Sequence, residues 1–219
     1  MKIAVLGTGP VGNLIASRLI ENGHEVMMGG RDAHNEKGLA FVASHSGGSA
    51  SYGTFEQAAG FSDVAFNATN GRFFIDALRL AHTDFEDKII VDVANSLDFT
   101  TQPPTLLGQY VNTNSIGETI QQHFPKAKVV KTLNTLPMVL AVNPAKLKGG
   151  DHSLFVAGND EDAKARVKTL VSGFGWHLDN IIDLGDITAA RGMEMYLILF
   201  SRLNMSLKTR AVNIKVIID

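Results

Sequence analysis

Lys2-Ile3-Ala4-Val5-Leu6, running without a break into Gly7-Thr8-Gly9-Pro10-Val11-Gly12, decides the fold of this chain. Met1 to Leu6 has the length and apolar character of a short buried strand, and the six residues after it spell G-x-G-x-x-G. Each glycine has a distinct purpose in that context. Gly7 permits the tight turn out of the strand, Gly9 lets backbone N–H groups approach a pyrophosphate, and Gly12 allows a helix to pack closely on the strand. The anion then rests on a helix N-terminus. Asn13 to Ile20 continues as that helix, with Val11, Leu14, Ile15 and Leu19 expected on one buried face.

The 219 residues suffice for one large domain or a domain with a small appendage. With 45% hydrophobic and 19% charged residues, the composition is that of a globular chain and not of a disordered one. A net charge of −2 argues against bulk affinity for nucleic acid or an anionic membrane surface. There is no cysteine, hence neither a disulfide framework nor a thiolate metal site. The histidines at 24, 34, 45, 82, 123, 152 and 177 are scattered, and none forms a helix-spaced ligand pair. No apolar run approaches the roughly 20 residues of a membrane span, and the N-terminus lacks a leader pattern, so a cytoplasmic address is expected.

The second strand, His24 to Met28, ends at Gly29-Gly30-Arg31-Asp32. An NAD-binding unit carries an acid about 20 residues beyond its glycines, where it holds the ribose 2′-hydroxyl. Here Gly30 and Arg31 occupy that stretch. A guanidinium forks onto a 2′-phosphate with charge-assisted bonds, which points to NADP, while an inward-turned Asp32 would oppose it. His34, Asn35 and Lys37 are surface residues within reach of the same end.

Further along, a helix over 36–46, a short strand at 50–52 and a helix capped by Thr54 precede the buried strand Asp63 to Ala68. In a doubly wound sheet, ligands bind beyond the carboxyl ends of the strands, which places Asn67, Ala68 and Thr69 beside the cofactor. Lys88 to Ser96 repeats the pattern and sets Asn95 at its tip; Lys128 to Leu133 does so again, ending in Asn134-Thr135-Leu136-Pro137. Between them, Leu97 to Gly117 reads as a loop across the site mouth, and Ser115 with Glu118 has the spacing of a capping box. A strand at 153–158, a helix whose first turn carries acids Asp160 to Asp162, a last strand region at 176–184 and a long helix from Ile187 to Leu203 complete the chain. Met193, Leu197, Phe200 and Asn204 share a face of that helix, more apolar than one surface helix requires, and packing on the sheet and on a second subunit is expected. The expected architecture is α/β, a Rossmann-type, doubly wound, mostly parallel sheet: an NADP-binding domain over 1–150 and a C-terminal strand-helix extension over 151–219.

In these elements the chain resembles the NADPH:F-420 oxidoreductases, which exchange hydride between NADP and the deazaflavin coenzyme F-420. The resemblance rests on Gly7 to Gly12, Gly30-Arg31, Asn95 after Val91-Asp92-Val93, Lys131 to Pro137, Phe155 to Asp160, and Ala189-Ala190-Arg191-Gly192-Met193-Glu194. It implies NADP held by Thr8, Pro10, Val11 and Arg31, with a second planar cofactor stacked on the nicotinamide. Pyrroline-5-carboxylate reductases and metalloreductases resemble only the N-terminal half. Two departures stand out: Gly30 replaces the serine or threonine frequent before the arginine, and His34-Asn35 stands where a basic residue is common. For a polyglutamate tail, only Lys146, Lys148 and Arg202 offer positive charge.

No acid, base or metal set is needed for hydride transfer between two cofactors, where juxtaposition of donor and acceptor carbons supplies much of the effect. The nicotinamide floor is expected from Ala68, Thr69, Asn95, Asn134, Leu136 and Pro137. Three readings follow: NADPH-dependent reduction of a flavin-like or deazaflavin acceptor; NADPH-dependent reduction of a small imine, ketone or metal chelate; and non-catalytic NADPH sensing. A small-molecule hydride acceptor and a homodimer are the expected partners.

Overall fold

The computed structural model describes residues 1–45, 47–81 and 85–219. In chain order the strands are β1 (Lys2–Leu6), β2 (Glu25–Gly30), β3 (Ala50–Thr54), β4 (Val64–Asn67), β5 (Ile89–Asp92), β6 (Leu97–Asp98), β7 (Thr105–Leu106), β8 (Lys128–Thr132), β9 (Leu154–Gly158) and β10 (Ile181–Asp183). The helices are α1 (Pro10–Glu21), α2 (Glu36–Ala43), α3 (Phe55–Phe61), α4 (Phe74–Arg79), α5 (Ile116–His123), α6 (Met138–Ala141), α7 (Glu161–Ser172) and α8 (Ala190–Leu207).

Eight strands form one sheet in the order β10-β9-β8-β5-β4-β1-β2-β3. All neighbours are parallel except β8 and β9, so the last two strands run against the rest. This is the doubly wound Rossmann order extended at one edge. The chain leaves β1 for β2 and β3 on one side and returns to β4 on the other, which opens a crevice beyond the carboxyl ends of β1 and β4.

Alternation along β1 explains why helices cover both faces: Ile3 and Val5 point one way, Ala4 and Leu6 the other, and all four are fully buried. Ile3 and Val5 join Ile15, Ala16 and Leu19 of α1, Phe41 of α2, and Val167 and Leu170 of α7. Ala4 and Leu6 join Phe55 and Ala58 of α3, Phe74 and Leu78 of α4, and Ile116 and Ile120 of α5. Such double-sided burial is what continuous apolar runs like Ile89-Ile90-Val91 require.

Several boundaries differ from expectation for identifiable reasons. Val11 is 37% exposed and Ala16 takes its place on the buried face of α1, because the first turn of that helix faces the crevice. Helix α2 stops at Ala43, where the Ser44 hydroxyl donates to the Phe41 carbonyl; the expected end at Ser46, like His82, lies outside the described residues. The loop across 97–117 contains the antiparallel pair β6–β7. The last strand region is reduced to β10, preceded by a 3-10 turn over Leu178–Asn180. Ile187 opens not α8 but a 3-10 turn, Ile187–Ala189, capped by Asp186.

Candidate dinucleotide site

The phosphate-binding turn has the geometry its glycines require. Gly7 sits at φ +123°, and a Cβ there would lie 2.7 Å from the Ala68 carbonyl oxygen, so the β1 turn and the β4 tip touch through backbone alone. A Cβ at Gly12 would stand 2.2 Å from the Gly7 carbonyl oxygen. At Gly9 a Cβ would meet nothing within 4 Å, so that residue faces open crevice. Gly9 is the N-cap of α1 and provides no side-chain cap, and Pro10 fills the first helical position, where no N–H is needed. The N–H groups of the first turn are thus left for an outside acceptor, and the helix dipole favours an anion there.

Two clefts adjoin this turn and share Thr8. One, of about 580 Å³, is lined by Thr8, Gly9, Pro10, Asn13, Leu14 and Lys37, among others from α2. The other, of about 390 Å³, is lined by Thr8, Gly30, Arg31, Asp32, Asn35 and Phe55. Arg31 is exposed and makes no hydrogen bond or ion pair among the described residues. Asp32 lines the same cleft, but its carboxylate accepts the His34 N–H at 2.9 Å within its own loop. Asn35 Oδ1 accepts from the N–H groups of Lys37 and Gly38 and so caps α2.

Tyr52 of β3, absent from the expected site, explains Gly30. A Cβ on Gly30 would lie 2.3 Å from the Tyr52 hydroxyl oxygen, and one on Gly38 would lie 2.2 Å from a Tyr52 ring carbon. The phenol fills the space that a serine or threonine at position 30 would need. Its hydroxyl donates to the Asp32 carbonyl, holding the Arg31 loop from beneath. Burial raises its pKa, with the Asp32 charge adding to the effect, so the donor proton is retained at neutral pH.

At the other end of the crevice the structure brings together the tips of β4, β5 and β8. Ala68 and Thr69 are half-buried, as are Asn95 and Pro137, while Leu136 is 6% exposed. Asn67 and Asn134 are buried, and their side chains are engaged within the protein. Asn67 Nδ2 donates to Asp92 Oδ1 at 2.8 Å and its Oδ1 accepts from the Thr69 hydroxyl at 2.6 Å. Asn95 Nδ2 donates to the Asn134 carbonyl at 2.9 Å; Asn134 Nδ2 donates to Asn95 Oδ1 at 3.0 Å and to the Met193 carbonyl at 3.1 Å. These amides fix the tips to one another. Gly71 packs so close that a Cβ would lie 2.0 Å from the Asn95 carbonyl oxygen, which clamps the loop after β4 to the β5 tip.

A dinucleotide fits this set of residues. The cradle at Gly9 is open, the N-terminus of α1 is uncapped, and Arg31 is unpaired. At the far end three buried polar atoms, Ser96 Oγ, Asn134 Oδ1 and Thr135 Oγ1, lack a partner among the described residues. Thr8, Pro10, Val11 and Gly12 would hold the pyrophosphate, Arg31 a 2′-phosphate, and the β4, β5 and β8 tips the nicotinamide. Among the described residues no group of three or more His, Asp or Glu side chains could hold a metal ion.

Ser115 and Glu118 have a role beyond the capping box. The Ser115 hydroxyl accepts the Glu118 N–H at 3.0 Å, yet the Glu118 carboxylate does not return to the Ser115 N–H. It takes three hydrogen bonds from Arg191 on α8 and one from the Ser115 hydroxyl. A tertiary ion pair has displaced the local capping bond. Also unforeseen is a fully buried cluster of Lys131, Asp92 and Glu194. Its signal is a lysine and an aspartate inside apolar strands buried on both faces, which require partners.

Fold and crevice together define a class, the Rossmann-type dinucleotide-binding oxidoreductases. Residues 2–96 match the family described as NADP oxidoreductase, coenzyme F420-dependent. A crystal structure from Arthrobacter sp. FB24, provisionally described as an F420-dependent NADP-reductase, is 45% identical and superposes over 100% of both chains with a TM-score of 0.91. The chain belongs to this family of F420-dependent NADP oxidoreductases. A hypothetical protein from Sinorhizobium meliloti is 29% identical over 87% of each chain, with a TM-score of 0.69. Metalloreductase STEAP3 of Rattus norvegicus is 27% identical over 195 residues, 88% of this chain; the chain spans about a third, 36%, of that relative's length. No helix among the described residues is long and apolar enough to cross a membrane.

Proposed function

We propose that this protein transfers hydride between NADPH and a planar, flavin-like acceptor, with the deazaflavin coenzyme F420 as the first candidate. The observation that carries the reading is the rim above the nicotinamide end. Phe73, on the loop leaving β4, is 59% exposed, and Phe99, in the loop leaving β6, is 62% exposed. Their neighbours Arg72 and Asp98 form an ion pair at 3.3 Å that ties the two loops together. Two large aromatic faces presented to solvent beside a crevice suit stacking on a flat ring system. The full-length likeness to the Arthrobacter protein supports the same choice.

The dinucleotide supplies the hydride when bound; the chain's own residues hold and orient it. Gly7 to Gly12 anchor the pyrophosphate, Gly30, Arg31 and Thr8 hold the phosphorylated ribose, and Ala68, Thr69, Leu136 and Pro137 offer a small, dry floor, with Asn67, Asn95 and Asn134 fixing it from below. Reduction of a small imine or ketone would call for a proton donor at this floor. The Thr69 hydroxyl at its edge is already donated to Asn67, and the Ser96 and Thr135 hydroxyls nearby are buried from solvent, which favours the acceptor that needs no such donor.

The same reading includes assembly. Along α8, Met195, Ile198, Leu199, Met205 and Leu207 are exposed, while the Tyr196 hydroxyl and Asn204 Oδ1 are buried without a partner among the described residues. We take this helix as the contact between two copies in a homodimer working in the cytoplasm.

Mixing the protein with NADPH and, in turn, F420, FMN, FAD and a ferric chelate, while following NADPH absorbance, tests the proposal. Oxidation with F420 faster than with any other acceptor is expected. No oxidation with any of them, despite tight NADPH binding, would overturn the catalytic reading in favour of a sensor.

A further inference from the structure

Lys131 is fully buried, as are Asp92 and Glu194 beside it. Its Nζ donates to Asp92 Oδ2 at 2.7 Å, to Glu194 Oε1 at 2.8 Å and to the Ala94 carbonyl at 2.5 Å, so all three ammonium protons have an acceptor. From Asp92 the network continues outward. Asp92 Oδ1 accepts from Asn67 Nδ2 and, at 3.2 Å, from the Ala94 N–H, while Asn67 Oδ1 accepts from Thr69 at the floor. From Glu194 it runs to the start of α5, which packs beside the β4 and β5 tips. Both Glu194 oxygens accept the Ile116 N–H, at 2.9 and 3.1 Å, in the first turn of α5, where the helix dipole favours a negative group. One ammonium therefore joins the tips of β4, β5 and β8 to α5 and α8.

Stability alone is a weak reason for such a cluster, because desolvation of buried charges cancels much of their attraction and apolar packing of equal volume often serves as well. What directional bonds supply, and apolar packing does not, is the relative placement of the groups they join. None of the three side chains reaches the crevice surface, so none can touch a cofactor. Asp92 ends β5, with Ala94 and then Asn95 just beyond it; Asn67 ends β4, with Ala68 and Thr69 following; Lys131 lies one residue before the end of β8, three residues before Asn134. Each bond fixes the residue just below a tip. The Arg31 cleft lies beyond β1, at the end of β2, and has no part in the network.

We infer that Lys131 is a positioning residue for hydride transfer, setting the mutual height of the three strand tips under the nicotinamide while leaving the adenosine half of the site untouched. The inference rests on the preceding reading that the nicotinamide lies over these tips.

The test separates the two ends of the cofactor. Lys131→Met alone leaves two carboxylates facing each other and is apt to unfold; the triple variant Lys131→Met, Asp92→Asn, Glu194→Gln is neutral and nearly isosteric, and Glu194→Gln alone is milder still. For wild type and variants, affinity for 2′,5′-ADP is measured by calorimetry, the chemical shifts of bound NADP by NMR, and the hydride step by single turnover. The expected result is 2′,5′-ADP affinity and adenine shifts within about twofold and within error of wild type, respectively, with nicotinamide ring shifts displaced and the hydride step slowed roughly 10- to 100-fold, since a misplacement of about 1 Å can cost that much. Equal disturbance of both ends, no disturbance with a hydride rate within threefold of wild type, or failure of both the triple variant and Glu194→Gln to fold would overturn it, the last by showing a role in folding alone. Wild-type protein that binds 2′,5′-ADP but places no nicotinamide in a defined environment would instead refute the cofactor reading beneath it.

Discussion

At the scale of single residues, two glycines of the same turn have opposite duties. Gly12 is required by packing, since any Cβ would press on the Gly7 carbonyl; Gly9 faces space and is required only by what docks there. Gly12→Ala should therefore destabilise the fold by about 2 kcal/mol, a fall in Tm of roughly 4–8 °C for a chain of this size. Gly9→Ala, in extended backbone, should leave Tm unchanged and weaken NADPH binding; thermal melts with and without NADPH read both. Arg31→Ala removes charge-assisted bonds to a phosphate, each of about 1.5–3 kcal/mol, so the KM for NADPH should rise roughly 10- to 100-fold with little change for NADH. Equal effects on both nucleotides would cancel the 2′-phosphate assignment. The glycine turn and the place of Arg31 at the end of β2 were legible because both follow from local sequence order. Tyr52 was not, since its bearing on Gly30 and Gly38 exists only once β3 lies beside β2.

At the scale of elements, the strands declared themselves by continuous apolar runs and the helices by caps such as Thr54, which forms the full reciprocal box with Gln57. What remained hidden depends on partners distant in sequence: Arg191 takes Glu118 across 73 positions, and Glu194 reaches the start of α5 across 78. These contacts weld α8 to α5 and beneath them to β8. They also have a pH signature. Burial works against the Lys131 ammonium, but the Asp92 and Glu194 carboxylates outweigh it, and its pKa in the folded protein is raised above the ordinary 10.5. Its contribution to stability is complete below pH 10.5 and is lost as pH rises through the higher folded-state value. The gap in Tm between wild type and the neutral triple variant should accordingly narrow at two places, as pH rises above about 4.5 where Glu194 ionises and again above about pH 10.5 where Lys131 loses its proton; no narrowing above pH 10.5 would contradict the assignment. At Glu194 burial pushes the pKa up, opposed by Lys131 and aided by Asp92; because Lys131 keeps Asp92 and the Ala94 carbonyl as acceptors, Glu194→Gln should cost less than Lys131→Met.

For the whole molecule, the sheet order makes the cofactor's two ends into separate problems. In the proposed site the adenosine end falls at the carboxyl ends of β1 and β2 and the nicotinamide end at β4, β5 and β8, on opposite sides of the β1–β4 crevice. If α8 also carries the subunit contact, each copy's nicotinamide floor is braced by an element buttressed by its neighbour. Ile198→Glu with Leu199→Glu should then shift the sedimenting species from dimer to monomer, whereas a monomeric wild type would rule out the dimer. Everything proposed for this molecule turns on where the cofactor lies, and a crystal structure with NADP bound measures that directly. We expect the pyrophosphate on Gly7 to Gly12, the 2′-phosphate on Arg31 and the nicotinamide over Thr69, Leu136 and Pro137; a nicotinamide placed away from the tips of β4, β5 and β8 would refute the proposed site.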